Sequence, residues 1–163
     1  MTQRKISRVF CAFAGCLMLS SALRAQGGDD LILFEGNGCS QDIVFTYNSR
    51  GGRDDNCKSR GPCKGDNDEA RSLRILKSAA PGTRIIVFDS PGGKQDDDFT
   101  IIDILRPDFM EDQGYCLRSF EQNFDTPNEN QGIIVDYVRK NGLDGKISRV
   151  RVTPGGAPSP QDS

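Results

Sequence analysis

The sequence predicts an all-β chain in which two Greek-key motifs form a disulfide-stapled β-sandwich. Three observations predict it. Short runs rich in β-branched and aromatic residues recur between clusters of Gly, Pro, Asn and Asp, and none carries a long 3.6-residue apolar period. These runs fall into two similar halves. Four cysteines remain once an amino-terminal leader is set aside.

The first runs are LILFE, Leu31 to Glu35, and DIVFTY, Asp42 to Tyr47, parted by Gly36, Gly38 and polar residues. SLRIL, Ser72 to Leu76, sets Leu73 and Ile75 on one face. RIIVFD, Arg84 to Asp89, and FTIIDIL, Phe99 to Leu105, are parted by SPGGKQDD. YCLRSF (Tyr115 to Phe120), GIIVDYV (Gly132 to Val138) and ISRVRV (Ile147 to Val152) bring the number to about eight, with the turn spacing of a sandwich or barrel. The stretch between Tyr47 and Asp66 is almost free of apolar residues. It reads as a short edge strand or loop held by Cys57 and Cys63 in place of packing. RPDFMEDQG reads as a surface insertion.

The halves echo each other. Each has an apolar strand ending in an aromatic and an acid (Phe34-Glu35, Phe88-Asp89), then a Gly-rich hairpin and a second apolar strand. Each closes on an acidic loop before its last strand: GDNDEARSLRIL in the first, NGLDGKISRVRV in the second. A half of about four strands has the size of a Greek key, and two such units bury their apolar faces against each other.

The ends stand apart from the fold. Residues 1–25 have the order of a secretory signal peptide: Arg4, Lys5 and Arg8, an apolar run from Val9 to Leu19, then small residues up to Ala25. That run is too short to span a membrane. Ala14-Gly15-Cys16 is a loose lipobox and offers a rival, lipidated start. Residues 154–163, rich in Pro, Gly and Ser, read as a disordered tail. Residues 26–153 are then one exported domain, secreted or periplasmic, with repeats at about 31–76 and 84–152.

Cys39, Cys57, Cys63 and Cys116 imply two disulfides, with three pairings open. The chain has no histidine, which excludes Ser-His and Cys-His catalysis and leaves zinc only an irregular four-thiolate site. The net charge of −2 and the lack of a basic aromatic stripe speak against nucleic acid. No phosphate-binding glycine signature is present. Glu111 and Asp112 are the carboxylate pair a glycan hydrolase reading would use, but adjacent strand residues point apart. Asp96 to Asp98 read as a solvated charge cluster at a hairpin tip. Asp66 to Glu69 read equally as a turn and cap or as half of a cation site. An EF-hand fails there, lacking its glycine and bidentate glutamate.

Taken together, these residues resemble the βγ-crystallin superfamily, in particular its small secreted microbial members, over roughly Leu31 to Val152. The resemblance rests on the aromatic-acid hairpins and the acidic loops. The family's calcium signature is two acid or amide residues, two variable residues, Ser or Thr, then Ser. Asn67-Asp68-Glu69-Ala70-Arg71-Ser72 fits it except at Arg71. Asp144-Gly145-Lys146-Ile147-Ser148-Arg149 departs from it at Gly145 and Arg149. The resemblance implies calcium ligands from one repeat's hairpin and the other repeat's loop. It groups Glu35, Asp68 and Ser148 in one site, and Asp89 and Asp144 in the other, with Arg71 in place of a hydroxyl. At most one competent calcium site is expected, and Arg71 is a candidate built-in cation. The implied function is a non-enzymatic structural or binding domain. The alternative is a secreted proteinase inhibitor or other extracellular binding module, engaging an extracellular protein such as a protease through the loop DDNCKSRGPCKG tied by Cys57 and Cys63, which carries Lys58, Arg60 and Lys64.

Overall fold

A computed structural model describes residues 28–124 and 132–155. The expected signal peptide, Cys16 and most of the expected tail lie outside the described residues. The described part is all-β. Its strands are β1 (Leu31–Gly36), β2 (Ser40–Tyr47), β3 (Arg53–Asn56), β4 (Ser72–Ile75), β5 (Arg84–Phe88), β6 (Phe99–Ile104), β7 (Tyr115–Leu117), β8 (Ile133–Val138) and β9 (Arg149–Thr153).

They form two antiparallel sheets, ordered β2-β1-β4-β7 and β3-β9-β5-β6-β8. The orders show an exchange. β3 lies in the first half of the sequence but pairs with β9, Arg53 opposite Val152. β7 lies in the second half but pairs with β4, Leu73 opposite Leu117. Each sheet is therefore completed by a strand from the other half. The second half also has a fifth strand, β8, which extends the far edge of its sheet alongside β6.

Period-two alternation directs the packing. Leu31, Leu33, Leu73, Ile75 and Leu117 from the first sheet share one buried cluster with Ile85, Val87, Ile102, Val135 and Val150 from the second. β5 reads as a continuous apolar run because it is covered on both faces. Ile86, Phe88 and Phe99 form a second, smaller cluster behind its sheet. Arg151 lies over the Phe88 ring at 5.4 Å, and Arg149 and Arg151 both reach Asp54 of β3. The arginine stems thus shield apolar surface while their heads are paired.

The disulfides are Cys39–Cys116 and Cys57–Cys63. The first ties the β1–β2 hairpin to β7, reinforcing the exchange between halves. The second lies wholly within the apolar-poor segment, and both of its cysteines are fully buried in the shared core. β3 is the short edge strand expected there. Among the described residues all four cysteines are paired, so none of them offers a free thiolate to zinc.

Two expectations need correction. YCLRSF is a strand only through Leu117, though Phe120 is still buried and its carbonyl accepts a hydrogen bond from the Thr100 hydroxyl at 2.6 Å. RPDFMEDQG is not wholly a surface insertion. It contains a 3-10 turn, Pro107–Phe109, that turns Met110 into the core at 2% exposure. No helix among the described residues is long and apolar enough to cross a membrane.

Candidate functional site: two hairpin–loop corners

The two acidic loops occupy equivalent places. In the first, the Arg71 amide donates to the Phe34 carbonyl at 2.8 Å. In the second, the Ser148 amide donates to the Phe88 carbonyl at 2.9 Å. Asp68 and Gly145 match as well, with φ of 66° and 65°. So Arg71 corresponds to Ser148, and Asp68 to Gly145. Each loop is anchored on its own half's hairpin and extends toward the other half.

The second corner joins Asp89, just after β5, to Ser148 and to Asp68 of the other half. The Ser148 hydroxyl donates to Asp68 Oδ1 at 3.0 Å, and the Asp68 amide donates to the Ile147 carbonyl. Asp97 and Asp98 crowd Asp89, with one carboxylate oxygen from each of the three lying within 4.8 Å of the others. Burial pushes the Asp89 carboxyl upward, and the charges of Asp97, Asp68 and Asp98 push the same way, while Lys146 opposes them. Asn67 Oδ1, in the same loop as Asp68, is shielded from solvent and has no donor. This corner is rich in carboxylate and hydroxyl oxygens, the donor type that hard divalent cations take.

The first corner has different chemistry. Arg71 Nη1 donates to the carbonyls of Glu35 at 2.9 Å and Glu69 at 3.1 Å. Its Nε lies 3.7 Å from Asp144 Oδ1. Glu35, Gly36, Asn37, Gln41, Arg71 and Asp144 line one cleft. A cation is therefore already seated among these oxygens, so the residues present do not fit an added divalent ion.

The expected ligand grouping is corrected accordingly. Glu35 does not join Asp68 and Ser148; it shares a cleft with Arg71 and Asp144. Asp89 is not grouped with Asp144; its carboxyl feels the charges of Asp68, Asp97 and Asp98, and the Ser148 amide is bound to the carbonyl of the preceding Phe88. The backbone bond to the hairpin fixes the reason. Each loop's fifth signature residue stays with its own half's hairpin, and the residues at the start of the signature reach the other half: Asp68 to Ser148, and Asp144 and Gly145 to Arg71.

Asp98 corrects another expectation. It is fully buried, not a solvated tip residue. It accepts the amides of Lys140, Asn141 and Gly142 at 2.8–3.0 Å and the Tyr137 hydroxyl at 2.9 Å. Burial pushes its carboxyl up, but these four donors outweigh that and hold it down to about 2. Glu121 Oε1 likewise accepts the amides of Leu143 and Asp144. These two carboxylates fix the chain leading into the second acidic loop. Neither stands out in the sequence, where Asp98 is masked by its acidic neighbours and Glu121 carries no signal.

Glu111 and Asp112 are both exposed, with Asp112 paired to Lys77 on the surface. The loop between Cys57 and Cys63 is a compact turn. Ser59 and Arg60 both donate their amides to the Asn56 carbonyl, and the Arg60 guanidinium folds back to the Asp54 carbonyl at 2.6 Å. No family model matches the chain, and no curated protein or solved structure matches it.

Proposed function

We propose that this chain is an exported βγ-crystallin-like domain whose role outside the cell is structural or recognitional, with one calcium site at the second corner. The observation that carries this reading is the reciprocal exchange of β3 and β7 between two similar halves. Such an exchange is what two interlocked Greek keys would produce, with each loop lying against the other half's hairpin. The two disulfides suit an oxidising compartment.

Asp68, Asp89 and the Ser148 hydroxyl are the residues that would hold calcium, with Asp97 as a neighbouring acid. Bound calcium would supply positive charge to a cluster whose carboxylates repel one another. Its contribution is thus to join the halves rather than to catalyse. Asp144 and Glu35 take no part, because Arg71 already satisfies that corner.

Thermal unfolding with calcium and with chelator tests the reading. A ligand bound only to the folded state adds RT ln(1 + [L]/Kd) of stability. The expected result is a rise in melting temperature at ~10 mM calcium that Asp68→Asn abolishes. An unchanged melting temperature would sink the calcium assignment.

A further inference from the structure

The first sheet covers one face of the second sheet and leaves the other face outward. On that outer face the register aligns residues in level rows. One row starts at Arg151 of β9, which lies opposite Ile86 of β5. Ile86 lies opposite Ile101 of β6, and Ile101 opposite Asp136 of β8. Directly paired residues of neighbouring strands project from the same face. Ile86 and Ile101 belong to the outer cluster, and Arg151 lies over the Phe88 ring in it. The row therefore runs from a cation to an anion through an apolar middle.

The charges at its two ends are not balanced where they stand. Asp54 is one carboxylate shared by two guanidinium groups, Arg149 at 2.6 Å and Arg151 at 3.4 Å. Asp136 is exposed and makes no ion pair among the described residues. One flank thus has a spare positive charge and the other a spare negative one. In a neighbouring row Arg84 and Asp103 lie opposite each other and form a two-pronged pair at 2.7 and 2.9 Å, so the middle stays neutral. In the other neighbouring row Arg149 is followed by Phe88, Phe99 and Val138, all apolar.

Such a row is complementary to itself. A two-fold axis parallel to the strands and midway between β5 and β6 sets Ile86 against Ile101 of a second copy. The same axis sets Arg151 against Asp136 of that copy. Each contact occurs twice, as an isologous interface requires. Arg151 and Asp136 are three strand spacings apart, about 14 Å, so one face holds both contacts. Packed sheets keep their strands within about 30° of each other, which leaves the rows nearly level close to the axis. Ile86 is only 7% exposed, so the apolar middle is thin and the flanking charges set the register.

We propose that the outer face of the second sheet is a docking surface for a second copy of this chain, with Arg151 and Asp136 meeting across it. The face is roughly 20 Å wide and 17 Å tall, the size of a weak, reversible interface. The pairing is independent of the calcium reading, so the test is run in chelator.

Sedimentation of the purified protein decides it. Wild type should pass from monomer to dimer between ~10 µM and ~1 mM, and high salt should weaken the dimer. Asp136→Arg and Arg151→Asp should each weaken it roughly tenfold or more, since like charges then meet at both contacts. Mixed in equal amounts, the two variants should associate again, because each supplies the charge the other has lost. Wild type that stays monomeric at ~1 mM overturns the proposal. So do single variants that dimerise like wild type, or a mixture of folded variants that stays monomeric. Should Arg151→Asp fail to fold beside Asp54, Asp136→Arg decides alone, since Asp136 is exposed. Unchanged dimerisation of that variant overturns the proposal.

Discussion

Replacing Asp98 with asparagine preserves shape and removes one charge from a buried carboxylate with four donors. The asparagine side chain would set an NH2 group against at least one backbone N–H that now donates. The charge itself has a calculable weight. The carboxyl is held at about 2 against an ordinary 3.8. Each tenfold change in acidity corresponds to about 1.4 kcal/mol, so the difference amounts to about 2 kcal/mol at neutral pH. The sign follows from the direction. A depressed carboxyl pKa contributes stability that is fully present above the unfolded value, near pH 4. That stability is lost as pH falls through the folded value, near 2. Urea unfolding of wild type and Asp98→Asn at a series of pH values reads this directly. At pH 7 the variant should be less stable by about 2 kcal/mol or somewhat more, including the mismatched donor. Between pH 4 and 2 the gap should narrow, because only the wild type loses this contribution. Two curves that fall in parallel over that window would refute the reasoning.

Other consequences are open to measurement. Asp89→Asn should keep or raise the melting temperature in chelator, because burial and like charges already disfavour its ionised form, yet it should remove the calcium-dependent rise. Since burial and the neighbouring carboxylates push Asp89 upward, calcium affinity in the wild type should begin to weaken at a higher pH than an ordinary carboxylate would give, as calorimetry across pH would show. The two disulfides should differ in weight. Loop-closure entropy assigns about 4 kcal/mol to Cys39–Cys116, whose partners are 77 positions apart, and about 2 kcal/mol to Cys57–Cys63, 6 apart, which urea unfolding of paired Cys→Ala variants can compare. Leu73→Ala, in a central strand at 1% exposure, should cost about 2–5 kcal/mol without affecting calcium binding of the folded fraction. Trypsin should leave the native loop between Cys57 and Cys63 uncut and should not be inhibited by it. A protease takes an extended segment, and this loop is a hydrogen-bonded turn. Strong inhibition would favour the inhibitor reading.

Much of the architecture is legible in the sequence because its signal is local. Period-two apolar runs bounded by Gly and Asp define strands within a few residues, so nearly every strand can be placed. β3 is readable as an edge element, since a segment without apolar side chains cannot lie mid-sheet. The misplacements share a cause. Asp98 looks solvated in sequence because the amides that bury it arrive 42 to 44 residues later. Met110 looks exposed because a single buried residue in a polar stretch has no periodicity.

The order of amino acids is enough to establish the fold class, the repeat, the number of cysteines available for pairing and the identity of the two acidic loops. Which cysteines pair, and which oxygens meet, is settled by the folded chain. The Ser148–Asp68 bond spans 80 residues, and Arg71 reaches Asp144 across almost as many. Both contacts exist because β3 and β7 cross between sheets and lay each loop against the opposite half. No local pattern encodes such a partner: it follows from burying two half-apolar sheets against each other, which is a property of the whole chain.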